Sequence, residues 1–259
     1  MKYLDEQIST WILDYANNNN IESLIIGVSG GIDSALVSTL CAKTGIKTKL
    51  LIMPILQNHD ETLRGINHCK FLEKQYLNIE TINIDLTDIY NKYVELIPCK
   101  YQTKLSLANT RARIRMSSLY MIAGSCKGIV VGTGNKIEDF GVGFFTKYGD
   151  GGVDISPIAD LTKSEVYVLA KKNNIIDEII EAQPTDGLWD DGRTDESQLG
   201  ASYKELEWAM DWYENNSESI STKNLNKEQL SVLDIYLSHR KINKHKMQEI
   251  PVFKKNKQN

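Results

Sequence analysis

The sequence predicts an α/β protein in which a parallel sheet is covered by helices on both faces. Short apolar segments, of which LIIGV, KLLIMPI and GIVVG are the clearest, alternate with longer segments of helical periodicity. Strands that are apolar on both sides are typical of parallel sheets buried between helices. A tight turn, Ser29-Gly30-Gly31, also leads directly from the first apolar segment into a helical one.

The predicted elements follow in chain order. Residues 5–16 have the apolar spacing of an amphipathic helix and are followed by a turn of four asparagines. Strands are predicted at 24–28, 47–54, 79–85 and 128–132, and helices at 34–44, 60–76 and within 87–126.

The pattern changes after residue 133. Residues 134–157 are glycine-rich and too irregular for a core element. A helix is predicted at 162–173, because Thr162 and Glu165 have the spacing of a capping box. Residues 183–200 are predicted to be a long loop, of the kind that is usually functional or disordered inside a compact domain. Helices at 202–216 and 226–240 then lead to a basic tail at 240–259.

Composition and charge exclude several classes of protein. The chain of 259 residues is 41% hydrophobic and 25% charged with a net charge of −4, so it has no basic field for nucleic acid or an acidic membrane. The four cysteines are widely spaced without a CxxC pair, which favours reduced thiols. No signal peptide and no apolar run long enough to span a membrane is found. We therefore expect a cytoplasmic protein with no nucleic-acid or membrane partner.

The segment LIIGVSGGIDSALVSTL has the features of a phosphate-binding turn. Unpaired N–H groups and the helix dipole favour an anion at a helix N-terminus, and glycines allow close approach of the backbone. Ser29 and Ser34 add hydroxyl donors. Asp33 would repel a phosphate unless Mg²⁺ lies between them. The alternative is a tight turn in which Asp33 only complements the helix dipole.

The turn matches neither common nucleotide-binding fingerprint. It lacks the lysine of GxxxxGK[ST], and Gly132-Thr133-Gly134 is not followed by the third glycine of GxGxxG. SGGIDS after a strand instead resembles the pyrophosphatase-type loop (PP-loop) of enzymes that split ATP between the α and β phosphates.

Three further segments narrow the resemblance. NTRARIRMSSLY at 109–120, the segment 131–165 with its FFTKYGDGG motif, and QPTDGLWDDGRTDESQLG at 183–200 resemble ammonia-dependent NAD⁺ synthetases. The resemblance implies a Rossmann-like, doubly wound parallel sheet of five strands with helices on both faces and extra C-terminal helices. It also implies a single domain over 1–259 without a glutaminase domain, and therefore free ammonia as the nitrogen donor.

The family reaction and partners are implied in the same way. ATP would activate the carboxylate of deamido-NAD⁺ as an acyl-adenylate, and ammonia would displace AMP to give NAD⁺. The resemblance further implies a homodimer in which deamido-NAD⁺ lies across the subunit interface. We also expect residues 183–200 to be mobile when the site is empty and ordered when ATP is bound.

Site residues are carried over by motif. Asp33 and Glu138 are expected to bind Mg²⁺, with Asp139 as a competing ligand, because the acidic residue lies one position further from FFTK than the family pattern implies. Asp150 and Lys163 are the catalytic candidates, Asp150 as the group that orients or deprotonates ammonium. The ATP-binding candidates are Gly27, Val28, Ser29, Gly30, Gly31, Ile32, Asp33, Ser34, Thr133, Lys163 and Thr185, and the deamido-NAD⁺ candidates are Arg113, Lys147, Asp154, His245 and Lys246.

Several of these assignments have plainer alternatives. Arg111, Arg113 and Arg115 could simply be a solvated helix face. Since Arg111 and Arg115 share one face and Arg113 lies nearly opposite, at most one side can serve the pocket, and the family match selects Arg113. Lys163 could be a surface charge at a helix start, where the dipole disfavours it. Lys147 and Asp154 could form a loop ion pair.

Other functions remain open at this point. Transfer-RNA thiolation would call for a basic surface or relay cysteines, and guanylate synthesis for a C-terminal dimerisation domain. A non-catalytic nucleotide sensor on the same fold would not need the acidic and basic site residues.

Overall fold

The structure, a computed structural model, describes residues 3–185, 187, 193–216, 222 and 224–255. Four strands form one parallel sheet in these residues, and Ser23 on the first strand pairs with Lys47 on one side and Gly128 on the other. The strands are β1 Ser23–Gly27, β2 Lys47–Ile52, β3 Ile79–Asn83 and β4 Gly128–Val130, in the sheet order β3-β2-β1-β4.

Helices fill the connections between the strands and the C-terminal third. None of the described helices is long and apolar enough to cross a membrane. They are α1 Leu4–Asn18, α2 Ile32–Lys43, α3 His59–Gln75, α4 Thr87–Leu96, α5 Lys104–Ser125, α6 Lys163–Lys172, α7 Asp177–Ile180, α8 Asp195–Leu199, α9 Tyr203–Asn216 and α10 Lys227–Met247, with a 3-10 turn at Cys99–Tyr101 and a π-helix at Ile137–Val142.

The sheet is buried on both faces, as predicted for a doubly wound fold. Leu24 and Ile26 of β1 belong to a core cluster with α1, α2 and α6. Ile25, between them, belongs to a second cluster with α4 and α5. Alternate strand residues point to opposite faces, so β1 anchors both layers. Each fully buried side chain of this size contributes about 1.5–3 kcal/mol to stability.

The prediction of five strands is wrong for the described residues. At the fifth position only Val131 and Ile155 form an isolated parallel bridge. Beside this bridge the Asp154 N–H donates to the Val130 carbonyl oxygen at 3.0 Å and the Gly132 N–H donates to the Ile155 carbonyl oxygen at 2.7 Å. The Asp154 carboxylate accepts the Val130 N–H at 2.7 Å, a bond that a strand partner would make with its backbone. Pro157 follows two residues after the bridge and has no N–H to continue a ladder.

The C-terminal helices form a separate layer with its own core, which confirms the prediction of extra helices there. Tyr236 of α10 and Leu206 of α9 are fully buried in a cluster that also holds Ile137 of the π-helix. Helix α10 starts from a capping box of Asn226 and Gln229 and runs to Met247, past the predicted end at 240. The layer therefore places the C-terminal end of α10 beside residues 140–147.

Two segments predicted to be irregular contain helices. Residues 137–142 form the π-helix, in which the Gly143 N–H donates to the Glu138 carbonyl oxygen five residues back. Part of 183–200 forms α8, which is capped by Thr194. Residues 186 and 188–192 lie outside the described residues, so the prediction that the loop orders with ATP is untested.

Candidate active site

The turn between β1 and α2 is closed by glycine geometry and by its own hydroxyls. Gly30 has φ +89°, and a Cβ there would lie 2.2 Å from the Glu61 carbonyl oxygen of α3. The backbone of α3 can therefore approach the turn only because residue 30 is glycine. Ser34 Oγ donates to the Gly31 carbonyl oxygen at 3.0 Å, and the Gly31 N–H donates to Ser29 Oγ at 3.2 Å.

The same turn leaves the start of α2 open. Gly31 is the N-cap residue and provides no side-chain cap, so the first N–H groups of the helix lack a side-chain acceptor. Ile32 is buried in the core and holds the helix start against the sheet. Ser29 and Ser34 were predicted to be phosphate donors, and in this structure their hydroxyls bond within the loop. The N-terminus of α2 remains the anion-binding feature of the turn.

Lys163 joins two carboxylates beside this turn. Its Nζ lies 2.6 Å from Asp33 Oδ2 and 3.0 Å from Glu138 Oε1. The Lys163 side chain is 4% exposed, so it is not the surface charge that a lysine in a helix's first turn could be. Helix α6 begins at Lys163, after the predicted capping box of Thr162 and Glu165. The cap fixes the helix start and thereby the origin of the Lys163 side chain.

Asn135 and Tyr203 support the carboxylates. Asn135 Nδ2 donates to Asp33 Oδ1 at 3.1 Å. Tyr203 Oη donates to Glu138 Oε1 at 2.6 Å and lies 3.3 Å from Asp195 Oδ2. The Lys163 ammonium also lies 4.7 Å from the centre of the Tyr203 ring, a cation–π distance. These contacts hold both carboxylates in fixed positions toward one point.

Burial and mutual charge shift the pKa of each group. Burial alone would lower the pKa of Lys163, but Asp33 and Glu138 raise it above its usual value. Burial raises the pKa of Asp33, and Glu138 adds to this against the opposing effect of Lys163. The pKa of Glu138 is lowered, because Lys163 and the Tyr203 hydroxyl outweigh the effect of burial. The cluster therefore keeps its cation and shares it between two carboxylates.

Asp139 and Asp150 add acidic groups next to this cluster. A Cβ on Gly134 would lie 2.1 Å from Asp139 Oδ2, so this carboxylate packs directly on a glycine. Burial, followed by the charges of Glu138 and Asp150, raises the pKa of Asp139 well above its usual value. Asp150 lies in an exposed turn, but its Oδ1 points inward and accepts the Thr146 N–H at 3.0 Å. Desolvation of that carboxylate raises its pKa to about 6.

The carboxylates of Asp33 and Glu138 fit Mg²⁺ only together with oxygen ligands from a substrate. Asp33 and Glu138 offer hard oxygen ligands directed at one point. No group of three or more His, Cys, Asp or Glu residues in the described part of the chain is placed to hold a metal. Mg²⁺ is usually bound by one or two carboxylates together with phosphates and water, so two carboxylates beside an anion-binding turn are sufficient.

The basic candidates form a second group. Arg113 Nε donates to the Lys147 carbonyl oxygen at 3.3 Å, and Lys147 Nζ lies 3.4 Å from the His245 carbonyl oxygen. Lys246 Nζ donates to the Phe145 carbonyl oxygen at 2.7 Å. These contacts bring α5, the FFTKYGDGG segment and the end of α10 together. The basic tail is therefore helical and fixed at this point.

The three arginines of α5 divide between two faces, as the spacing predicts. Arg111 is buried, with its guanidinium 5.2 Å from the Tyr90 ring centre. Arg115 donates from Nε to the Met53 carbonyl oxygen at 2.9 Å and from Nη2 to Gln57 Oε1 at 3.2 Å. Arg113 is exposed on the opposite side. The alternative of a single solvated arginine face is wrong for Arg111 and Arg115.

Asp154 lies apart from the other deamido-NAD⁺ candidates. It accepts from Tyr120 Oη at 3.0 Å and from the backbone of β4, and it forms no ion pair with Lys147 or any other described residue. Tyr120 is two turns beyond Arg113 on α5. Thr133 follows the carboxyl end of β4, next to Gly134. Thr185 Oγ1 donates to Glu61 Oε1 at 2.7 Å, beside the turn before α2.

Sequence reasoning missed Tyr203, Asn135 and Glu61. Tyrosines are core residues by default, and nothing in the sequence around Tyr203 marks its hydroxyl as a ligand of Glu138. Asn135 follows Thr133-Gly134 in the segment that was rejected as a dinucleotide fingerprint, and this position was its only signal. Glu61 is an acidic residue in the first turn of a helix, where acidic residues are common, so nothing in the sequence indicated its bond to Thr185.

The fold and the site together define a doubly wound α/β protein with an anion-binding turn at the carboxyl edge of its sheet. The sequence model of the NAD synthase family matches residues 4–250. The chain belongs to this family.

Individual relatives agree with that assignment. An NH(3)-dependent NAD(+) synthetase of Alkaliphilus oremlandii is 41% identical over 212 residues, which are 78% of this chain and 82% of that protein. Among solved structures, an NMN synthetase from Francisella tularensis has a TM-score of 0.83 at 30% identity and covers 97% of both chains. An NH3-dependent NAD synthetase from Campylobacter jejuni has a TM-score of 0.78 at 28% identity and covers 98% of this chain and 99% of that one.

Proposed function

We propose that this protein catalyses the ATP-dependent amidation of deamido-NAD⁺ by ammonia, giving NAD⁺, AMP and pyrophosphate. The observation that carries the proposal is the cluster of Asp33, Glu138 and Lys163 at the anion-binding turn. It combines the acidic metal ligands and the phosphate-binding lysine that splitting of ATP requires. Membership of the NAD synthase family favours deamido-NAD⁺ as the substrate whose carboxylate is activated.

The reaction has two chemical steps. An oxygen of the nicotinate carboxylate attacks the α-phosphorus of ATP, the bond between the α and β phosphates breaks, and pyrophosphate leaves. The product is an acyl-adenylate with a good leaving group, which a free carboxylate lacks. Ammonia then attacks the acyl carbon, AMP leaves with the carboxylate oxygen, and one proton is released.

The chain supplies position and charge rather than a covalent intermediate. The N–H groups at the start of α2 bind the phosphates that leave, and Lys163 donates to the phosphate that is attacked. Thr133 and Thr185 lie at the same edge and contact ATP. Mg²⁺, which Asp33 and Glu138 would hold, supplies charge neutralisation on the phosphates. Asp139 is one residue from Glu138 in the π-helix and is the alternative second carboxylate.

Asp150 is assigned to ammonium in this proposal. Its carboxylate is held by the Thr146 N–H and has a pKa of about 6, so it is largely ionised at neutral pH. We propose that it positions ammonium and accepts the proton that ammonium loses before attack. The raised pKa brings this carboxylate closer to neutral pH, which suits a group that accepts a proton.

The dinucleotide is assigned to the basic group. Arg113, Lys147 and Lys246 converge within the contacts described above and offer cations for its phosphates, and His245 lies beside them. Asp154 accepts from Tyr120, which lies two turns beyond Arg113 on α5, and would contact a different part of the same long ligand. Binding across two elements fits a substrate with two nucleotides.

A homodimer is part of the proposal. Helices α4 and α5 and the 3-10 turn between them carry large apolar side chains that are exposed in the single chain. They are Ile89, Tyr93, Leu96, Tyr101, Leu105, Tyr120 and Met121. Such a surface next to Arg113 supports a second copy as its partner. A single catalytic domain over residues 1–259 and a cytoplasmic location remain predictions.

A second candidate substrate is nicotinate mononucleotide. The likeness to an NMN synthetase, with a TM-score of 0.83, favours it. The same carboxylate would be activated in the same way, and only the second nucleotide would be missing.

One assay tests both candidates. The purified protein is incubated with ATP, Mg²⁺, ammonium and either deamido-NAD⁺ or nicotinate mononucleotide, and the products are separated by mass. We expect NAD⁺, AMP and pyrophosphate in equal amounts, with at least tenfold higher kcat/KM for the dinucleotide. Glutamine in place of ammonium should give almost no product. A preference for the mononucleotide would identify nicotinate mononucleotide as the substrate. If neither substrate is amidated, the proposal is overturned.

A further inference from the structure

Arg64 of α3 carries a guanidinium that the fold leaves without a partner. Its Nε is buried and makes no hydrogen bond, and the side chain forms no ion pair or ring contact with any residue in the described part of the chain. A buried donor without an acceptor is destabilising, because it has lost its hydrogen bonds to water. Such a group in a folded protein needs an explanation, and one explanation is a ligand.

The position of Arg64 points to the anion-binding turn. The first turns of α3 touch that turn directly, because a Cβ on Gly30 would lie 2.2 Å from the Glu61 carbonyl oxygen and 3.1 Å from the Gly65 N. Arg64 comes immediately before Gly65. Side chains of a helix lean toward its N-terminus, so the stem of Arg64 runs back toward the turn that holds Glu61.

Thr185 lies on the other side of the first turn of α3. Its hydroxyl donates to Glu61 Oε1 at 2.7 Å, and a Cβ on Gly187 would lie 2.7 Å from Glu61 Oε2. Arg64 is therefore one helical turn from a residue flanked by the Gly30 backbone and by an expected ATP contact.

The described site residues provide too little positive charge to neutralise a bound triphosphate. Lys163 is shared between Asp33 and Glu138, so these three groups provide no excess positive charge. A triphosphate brings several further negative charges. An arginine fork matches phosphate oxygens in geometry and stays charged at any working pH.

A plainer role as a surface ion-pair partner does not fit. Helix α7 offers the Glu178 carboxylate, yet Glu178 Oε2 accepts from Asn67, one turn beyond Arg64. The Glu178 carboxylate therefore lies within about one helical turn of Arg64 and still forms no ion pair with it.

We propose that Arg64 binds the β and γ phosphates of ATP, the part that leaves as pyrophosphate. This inference rests on the proposed function for the identity of the nucleotide. Arg64 lies outside the motifs that define the site, and its role is to hold the leaving group while the α-phosphorus is attacked.

Binding measurements test the proposal without need of turnover. Calorimetric titrations in the presence of Mg²⁺ measure the binding of three ligands. They are inorganic pyrophosphate, AMP, and an ATP analogue with a methylene bridge between the α and β phosphates. Arg64→Gln should bind pyrophosphate and the analogue at least tenfold more weakly, with AMP changed less than twofold. Lys70→Gln, which removes an exposed cation from the same helix, is the matched control and should bind all three like the wild type.

Two results would overturn the proposal. One is an Arg64→Gln protein that binds the analogue as the wild type does, and the other is an equal loss of AMP. If Arg64→Gln does not fold, phenylglyoxal modification of the wild-type protein answers the same question. Pyrophosphate should protect Arg64 in the peptide mass map and AMP should not, and equal modification with both would contradict the proposal.

The outcome stays separate from that of the proposed function. A protein that makes no NAD⁺ but loses pyrophosphate binding in Arg64→Gln would overturn the amidation reaction and leave the role of Arg64 in place. A protein that makes NAD⁺ with an unchanged KM for ATP in Arg64→Gln would support the amidation reaction and overturn the role of Arg64.

Discussion

The ammonium of Lys163 lies 2.6 Å from a carboxylate oxygen of Asp33, although the two residues are 130 positions apart in the chain. This ion pair joins the start of α6 to the anion-binding turn. Since Glu138 shares the same ammonium, the three groups mark the point at which the metal and the phosphates of a nucleotide would meet.

Lys163→Met is expected to destabilise the protein and to make it sensitive to Mg²⁺. Removing the ammonium leaves two buried carboxylates without a cation, which costs about 3–5 kcal/mol. Mg²⁺ should restore part of this in the variant and should have little effect on the wild type without nucleotide. Urea unfolding with and without millimolar Mg²⁺ measures both effects.

Lys136→Met is the control for this prediction. Lys136 forms partly exposed ion pairs with Asp160 and Glu214, which contribute at most about 1 kcal/mol. If wild type and Lys163→Met respond equally to Mg²⁺, Asp33 and Glu138 are not the metal ligands.

Tyr203→Phe is expected to weaken both the fold and the use of Mg²⁺ and ATP. The variant loses the hydroxyl that donates to Glu138 at 2.6 Å, a bond to a charged group worth about 1.5–3 kcal/mol. The KM for Mg²⁺-ATP should rise severalfold, because Glu138 is no longer held toward Lys163. Steady-state kinetics and thermal unfolding measure the two effects.

Tyr213→Phe on the same helix provides the comparison. The Tyr213 ring packs against Tyr236 and Arg240, and its hydroxyl makes no hydrogen bond to another described residue. An equal change in both variants would mean that the Tyr203 hydroxyl has no special role.

Gly30→Ala is expected to disrupt nucleotide binding. The added Cβ would meet the Glu61 carbonyl oxygen at 2.2 Å at a residue with φ +89°, so α3 or the turn must move. We expect a loss of stability of about 3 kcal/mol or more and no measurable ATP binding by calorimetry.

Gly45→Ala separates backbone strain from the clash. Gly45 has φ +77° but open space around its Cβ position, so only the strain of about 1–2 kcal/mol applies. ATP binding by Gly30→Ala that matches Gly45→Ala would contradict the close approach of α3 to the turn.

Asp5 is expected to stabilise the fold in a pH-dependent way. Burial raises its pKa, but the ammonium groups of Lys172 and Lys43 outweigh this and lower it from 3.8 to about 2. The ionised form is therefore favoured in the folded state. Its contribution of about 2 kcal/mol is present above pH 4 and is lost as the pH falls through about 2.

The test compares the free energy of unfolding of the wild type and Asp5→Asn at pH 5, 3 and 2. The difference should shrink from about 2 kcal/mol to below about 1 kcal/mol. Asp14→Asn, at an exposed position on the same helix, should stay within about 0.5 kcal/mol of the wild type throughout. A difference for Asp5→Asn that is independent of pH would show that the ion pairs do not stabilise the fold.

Local signals predicted much of the fold and part of the site. The apolar periodicity placed the four strands, and the spacing of Thr162 and Glu165 placed the start of α6 to within one residue. The Gly30-Gly31 turn was recognisable because its dihedral requirement, a positive φ at Gly30, is local.

Tertiary contacts explain what the sequence did not predict. The short pairing at the fifth position depends on Asp154, whose carboxylate and N–H both bond to Val130 of β4. The true end of α10 depends on Asn243 and Lys246 bonding to residues 142 and 145. The offset of Glu138 from FFTK suggested an inserted residue, and the π-helix accommodates that segment. The sequence did not show that Tyr203 would reach Glu138, because the two residues are 65 positions apart.

The most direct test follows the oxygen atoms of the substrate carboxylate. Deamido-NAD⁺ labelled with ¹⁸O in both carboxylate oxygens is incubated with ATP, Mg²⁺, ammonium and the protein, and the products are analysed by mass. Attack on the α-phosphorus predicts one ¹⁸O atom in each AMP and one in the amide of NAD⁺. Label in pyrophosphate or orthophosphate, or unlabelled AMP beside labelled NAD⁺, would contradict the acyl-adenylate and the role assigned to the Asp33–Lys163 cluster.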